Sequence, residues 1–309
     1  VTPDPHAKRH PARIDRVPLG IIFMLAATSM FAISSALSKW QVTHYSFAEV
    51  LFLRALGSLA TCSLLILPRV GLNAFRTHRL RDHLGRSSTQ AVAQSLIILA
   101  FSMMPLAGAI AINFSSPLFA TLLAAFWLKE KVGIQRSAAL IVGFLGVVLV
   151  AAPGADSFRI GALFALANAV LLGSLTAAVR GMSATESVET LTMYQMVILA
   201  VFFSLVMPIF GFIWPSREDA AVMLVNGVIN GFGQYWWTRS LSLAPASAVA
   251  PFYYFSMIWA LTIGFLFWGD IPTLALLAGS GIVVASGIFL FWHESSKNKV
   301  KAEEALTIE

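Results

Sequence analysis

The chain has 309 residues, of which 58% are hydrophobic and only 12% charged, and its mean hydropathy is +0.78. Soluble domains carry roughly 45–50% apolar and about 25% charged residues, so this composition excludes a water-soluble globule. The net charge of +6 would suit nucleic acid, but it is concentrated in the polar segments between apolar blocks, where it reports orientation in a membrane.

A basic tail, 1–16, opens the chain. The first apolar block is too long for a signal-peptide core and has no cleavage pattern, so it reads as a retained span. Blocks of about 20 residues, the length a helix needs to cross roughly 30 Å of hydrocarbon, fall at 17–38, 46–68, 86–104, 106–128, 133–152, 160–180, 189–213, 219–240, 246–268 and 272–293. They predict an all-α integral membrane protein of ten transmembrane helices with short connections. The polar tails, 1–16 and 294–309, are expected to be disordered.

Lysine and arginine set the orientation. Seventeen of them lie in the tails and in the even-numbered connections, against only Lys39, Arg159 and Arg217 on the opposite side. By the positive-inside rule both termini are cytoplasmic.

The chain also repeats itself. Pro105–Glu130 and Pro245–Asp270 are apolar runs opened by proline and closed by an acid, 140 positions apart. Pro68 answers to Pro208, Gln90 and Gln94 to Asn230 and Gln234, and Gly20 and Lys39 to Gly161 and Arg180. Two five-span units follow, 17–157 and 158–293. Five is odd, so the second unit enters the membrane from the opposite side. Inverted repeats of this kind are a transporter signature, with a channel or a structural bundle as alternatives.

Polar side chains inside the spans are the candidates for chemistry. Arg54 is the one charge deep within a block. Placing it there costs about 2.5–3.5 kcal/mol on insertion scales, so it should face protein or a wet cavity. It can anchor an anionic substrate group, clamp backbone carbonyls, or snorkel outward. Glu49, five residues earlier, points roughly 140° away around the helix and is not an evident partner.

Gln90 with Gln94, and Asn230 with Gln234, are each spaced i, i+4 and share a helix face in equivalent spans. They can line a cavity for a neutral or zwitterionic solute, or bond helix to helix. Pro117 and Pro251 interrupt spans four and nine and tend to free the carbonyls of Asn113 and Ser247, as gating hinges or as static bends. Tyr253 and Tyr254 lie too deep for an interfacial belt and call for hydroxyl partners. Gly227 and Gly231, and Ala139 with Gly143, form small-residue faces for close helix packing.

Other functions find no support. Cys62 is the lone cysteine, and no histidine pair inside a span has metal-ligand spacing. No GxSxG, HExxH or P-loop occurs. Neither an enzyme nor a cofactor or metal is expected. The partners expected are the bilayer and a small-molecule substrate, not nucleic acid, with a monomer or weak dimer as the assembly.

Ten spans in two halves, Arg54 in span two, the proline opening span four and the turn FWLKEKVG at 126–133 together resemble the drug/metabolite transporter superfamily, EamA-type branch. The second half is similar but weaker, with FWGDIPT at 267–273. This resemblance, and a further similarity to bacterial exporters of aromatic amino acids, implies a solute held in a central cavity between the halves and a place in the bacterial inner membrane.

The expectation is therefore an amino-acid exporter working by alternating access. Its site comprises Arg54, Gln90, Gln94, Asn113, Asn230, Gln234, Tyr253 and Tyr254, with Pro117 and Pro251 as hinges. The alternative cargo is a nucleoside-like or cationic aromatic compound, which the aromatic cluster would stack against.

Overall fold

The computed structural model describes residues 17–127, 134–151, 156–183, 185–244, 249 and 252–307. All regular structure among them is helical. Helices α1 (Val17–Gln41), α2 (Phe47–Val70), α3 (Leu80–Met103), α4 (Leu106–Asn113) and α5 (Ser116–Trp127) build the first four predicted spans. They are followed by α6 (Ile134–Ala151), α7 (Asp156–Ser183), α8 (Val188–Val206), α9 (Arg217–Leu243), α10 (Phe255–Trp268) and α11 (Leu274–Thr307). The segments Val17–Gln41, Phe47–Phe75, Leu106–Leu123 and Val188–Ile209 are each long and apolar enough to cross a bilayer. The turn 128–133 and Pro251 lie outside the described residues.

Local sequence explains the boundaries. Ser46, Ser187 and Ser216 cap α2, α8 and α9, each accepting a backbone N–H from three residues on. Acidic residues in the following first turns, Glu49, Glu189 and Asp219, suit the positive end of the helix dipole. Gly269, at φ 66°, ends α10 in the left-handed conformation that glycine tolerates.

Span four is broken where proline was expected to disturb it. Helix α4 stops at Asn113, and Pro117 is the second residue of α5, where a missing N–H costs nothing. Ser115 heals the break, bonding to Ile112 O through both its N–H (3.0 Å) and its hydroxyl (2.6 Å).

Three boundaries depart from the sequence reading by well over one helical turn. The tail expected to be disordered continues α11 to Thr307, because ESSKNKVKAEEAL is rich in strong helix formers. Helix α3 starts at Leu80 rather than 86, since its first turns are polar yet helix-compatible. Helix α8 ends at Val206, seven residues early, where Pro208 turns the chain into a 3₁₀ helix, Met207–Ile209.

The two halves interleave instead of sitting side by side. Helix α1 packs on α9, α2 on α9 and α8, α3 on α7 and α8, and α6 on α11. Small residues allow the approach. A Cβ on Gly227 would lie 2.7 Å from Gly57 Cα, and one on Gly279 would lie 2.7 Å from Gly146 O. Serine seals the same contact: Ser58 Oγ donates to Gly227 O at 2.9 Å. Gly227 and Gly231 therefore face α2, as their spacing suggested.

Candidate functional site

A buried polar network runs across α1, α2, α3 and α9. Arg54 is 7% exposed. Its Nη2 donates to Gln94 Oε1 at 2.9 Å and its Nη1 to Ser38 Oγ at 3.2 Å. Ser38 also accepts from Asn226 Nδ2 at 3.0 Å, and Asn226 donates to Gln41 Oε1 at 3.0 Å. Ser34 Oγ closes the cluster on Asn226 Oδ1 at 2.6 Å.

No carboxylate bonds or ion-pairs with Arg54 among the described residues. The guanidinium is therefore a buried cation held only by neutral acceptors. It has five N–H donors, two of which are used here. Such a group is well suited to receive an acceptor-rich or anionic ligand.

Glu49 is fully buried and does not meet Arg54. Its Oε2 accepts from Ile213 N at 3.2 Å, and its Oε1 has no partner.

A second focus lies at the break in span four. Asn113 Oδ1 accepts from Asn168 Nδ2 of α7 at 2.6 Å. Phe114, 2% exposed, stands edge-on to Tyr254 (centroids 5.0 Å, 71°) and Tyr253 (5.9 Å, 74°). The Tyr254 hydroxyl presses against Gly287 of α11 so closely that no Cβ fits there.

The remaining predicted residues sit apart from these foci. Asn230 Nδ2 donates to Ser58 Oγ at 3.0 Å, at the α2–α9 contact. Gln90 and Gln234 are half-buried and make no side-chain hydrogen bond among the described residues. A cavity of about 220 Å³ opens between α2, α8 and α9, with Ile66, Glu189, Thr192, Tyr235, Thr238 and Arg239 on its walls; Gln234 is not one of them. A second, of about 250 Å³, lies between α4, α6 and α7 near Ile112, Val147 and Leu166.

Asn226 was missed in the sequence. Its signal was present: it precedes Asn230 by four and Gln234 by eight, extending the amide stripe of α9.

The EamA-like transporter family pattern matches residues 18–152 and again 159–292. The chain belongs to the EamA-like transporter family. It is a multi-pass bacterial-type membrane transporter of small molecules rather than an enzyme, as that membership requires. A riboflavin transporter of Rhizobium johnstonii is 28% identical over 93% of this chain and 95% of its own length. An S-adenosylmethionine uptake transporter of Rickettsia prowazekii is 25% identical over 92% of this chain and 96% of its own. A solved crystal structure superposes with a TM-score of 0.60 at 19% identity, covering 88% of this chain and 94% of that one, which shows the fold alone.

At one end of this EamA protein the halves are joined by charge. Lys39 Nζ, at the end of α1, lies 3.6 Å from Asp270 Oδ2 after α10, donates to Met104 O at 3.2 Å, and sits 5.0 Å above the Trp268 ring. The pair is partly exposed, so its coupling should lie between surface and buried values, at about 1 kcal/mol. A double-mutant cycle of Lys39→Ala and Asp270→Ala, read by thermal unfolding in detergent, is expected to return that value. Additive single effects would show the two charges to be independent.

Proposed function

We propose that this transporter carries a flat aromatic heterocyclic metabolite of the flavin or nucleoside class, by alternating access between its two halves. The observation that supports this most is the aromatic trio Phe114, Tyr253 and Tyr254 at the break in span four, beside the Asn113–Asn168 amide pair. Aromatic faces suit a planar heterocycle, and the amides suit its ring edge. The cargoes for which the two relatives are named, riboflavin and S-adenosylmethionine, lie in the same chemical class.

In this reading Arg54 and Gln94 bind the acceptor-rich end of the cargo, and Gln90, Asn230 and Gln234 line the approach. Pro117 and Pro251 mark where spans four and nine flex. The protein would lie in the bacterial inner membrane with both termini inside. Export of a neutral or aromatic amino acid is the second reading, favoured by the Arg54 guanidinium, which has no carboxylate partner among the described residues and can take a carboxylate.

Flux into proteoliposomes holding the pure protein decides between them. Saturable riboflavin or S-adenosylmethionine uptake, blocked by each other more strongly than by phenylalanine or tryptophan, is the expected result. Amino-acid flux with no heterocycle flux would overturn the reading.

A further inference from the structure

The opposite end of the bundle from Lys39, where the α2–α3 and α7–α8 connections meet, holds a titratable group that the transport reading does not use. His83, in the first turn of α3, is fully buried, and neither of its ring nitrogens has a hydrogen-bond partner. Its ring stacks on Tyr194 of α8, with centroids 4.5 Å apart and planes at 28°. Its Nε2 lies 3.7 Å from Glu186 Oε2, too far for a hydrogen bond. The other oxygen of Glu186 accepts from Thr77 Oγ1 at 2.7 Å.

The neighbouring bonds all tie the first half to the second. Arg86 donates to Gln195 Oε1 at 2.5 Å and to Leu191 O at 3.3 Å, and the Tyr194 hydroxyl donates to Phe75 O at 3.0 Å. The charged groups facing His83 are Glu186 from the α7–α8 connection and Arg86 and Asp82 from its own helix. Helix α8 presents Tyr194. Asp82 is engaged by Arg79 at 2.7 Å.

We propose that His83 is a proton-binding site whose occupation opens this end of the transporter. The packed arrangement fits a neutral ring: one face is stacked, no acceptor meets either nitrogen, and the Arg86 cation is close by. Charging the ring there must proceed without water, with only Glu186 to offset it in part. His83 precedes the apolar block at 86–104, and burial holds its imidazole below the usual histidine range, with Glu186 pulling the other way.

When the halves part, the ring reaches water and regains an ordinary affinity for protons, near pH 6.5. The open form therefore binds the proton more tightly. Closure is favoured above that pH and is lost as pH falls through it.

Ser87, fully buried next to Arg86, reports the opening directly and without any substrate. Ser87→Cys in a Cys62→Ala background, in lipid nanodiscs, is labelled with a maleimide between pH 8 and pH 5.5. Each rate is divided by that of the same protein carrying His83→Gln, which cancels the titration of the thiol. The ratio is expected to rise at least 3-fold on acidification. Glu186→Gln, which removes the partial offset, is expected to enlarge that rise; if His83→Gln does not fold, the rate with Glu186→Gln divided by the rate with Glu186 intact, in which the thiol titration also cancels, is expected to rise on acidification. A ratio independent of pH, or a smaller rise with Glu186→Gln, would overturn the proposal. Since no cargo is used, the outcome is separate from that of the flux assay.

Discussion

Arg54→Lys is expected to cut transport by 10-fold or more while leaving the purified protein folded. The substitution keeps the positive charge but removes the planar fork that reaches Gln94 and Ser38 in two directions. A hydrogen bond to a charged group is worth about 1.5–3 kcal/mol, which corresponds to roughly 10- to 150-fold in an equilibrium or rate. With no carboxylate partner among the described residues, Arg54 lacks the internal ion pair that would make it a purely structural cation.

Riboflavin or S-adenosylmethionine flux into proteoliposomes, with thermal unfolding measured on the same preparation, separates two roles. A substrate-binding guanidinium raises KM strongly in the lysine variant with little change in the melting temperature. A structural clamp instead lowers the melting temperature and leaves the KM of the surviving folded protein unchanged. The second result would remove Arg54 from the site.

Gly227→Val is expected to reduce or abolish the folded yield. A Cβ there would meet Arg54 O and Gly57 Cα, both at 2.7 Å. These are backbone atoms that no rotamer change can move, so α2 and α9 must separate. Overpacking of this kind costs about 1–3 kcal/mol and more where the backbone is the obstacle. Lipid supplies no hydrophobic drive to press the helices back together. A loss of about 3 kcal/mol in a chain of this length implies a melting temperature lower by roughly 5 °C. Gly85→Val is the control, since a Cβ at Gly85 has no neighbour within 4 Å. Equal effects at the two positions would show that side-chain bulk in general, rather than the α2–α9 contact, is responsible.

The same contact shows what could be read from the chain alone. Apolar blocks located the spans because a bilayer leaves few solutions for an unpaired backbone other than a helix. The glycine face of α9 was legible because its i, i+4 spacing has one plain meaning. Hydropathy is blind to helix that lies outside the lipid, and so it missed the early start of α3 and the long polar end of α11.

The candidate site was legible in part. Arg54 stood out as the charge within an apolar block, but its partners Ser38 and Gln94 come from two other helices, and no pattern in α2 names them. Asn226 escaped because its counterpart 140 residues earlier, Arg86, stands at the very edge of an apolar block and reads as one of the basic residues of the connection rather than as a polar residue within a span. Burial decides its importance, and burial is a property of the assembled bundle.

The network around Asn226 also has an order in time. Arg54, Ser38 and Gln94 all belong to the first half and can find one another as soon as α3 is made. Asn226 is synthesised about 190 residues after Ser34 and Ser38, which at roughly 5–20 residues per second is a wait of about ten to forty seconds. Throughout that interval the polar face of α1 stands in the membrane without the helix that will cover it. The nascent first half is therefore the stage at which this protein depends most on a neighbour, whether lipid headgroup, water or insertion machinery, to shelter its serines until α9 arrives.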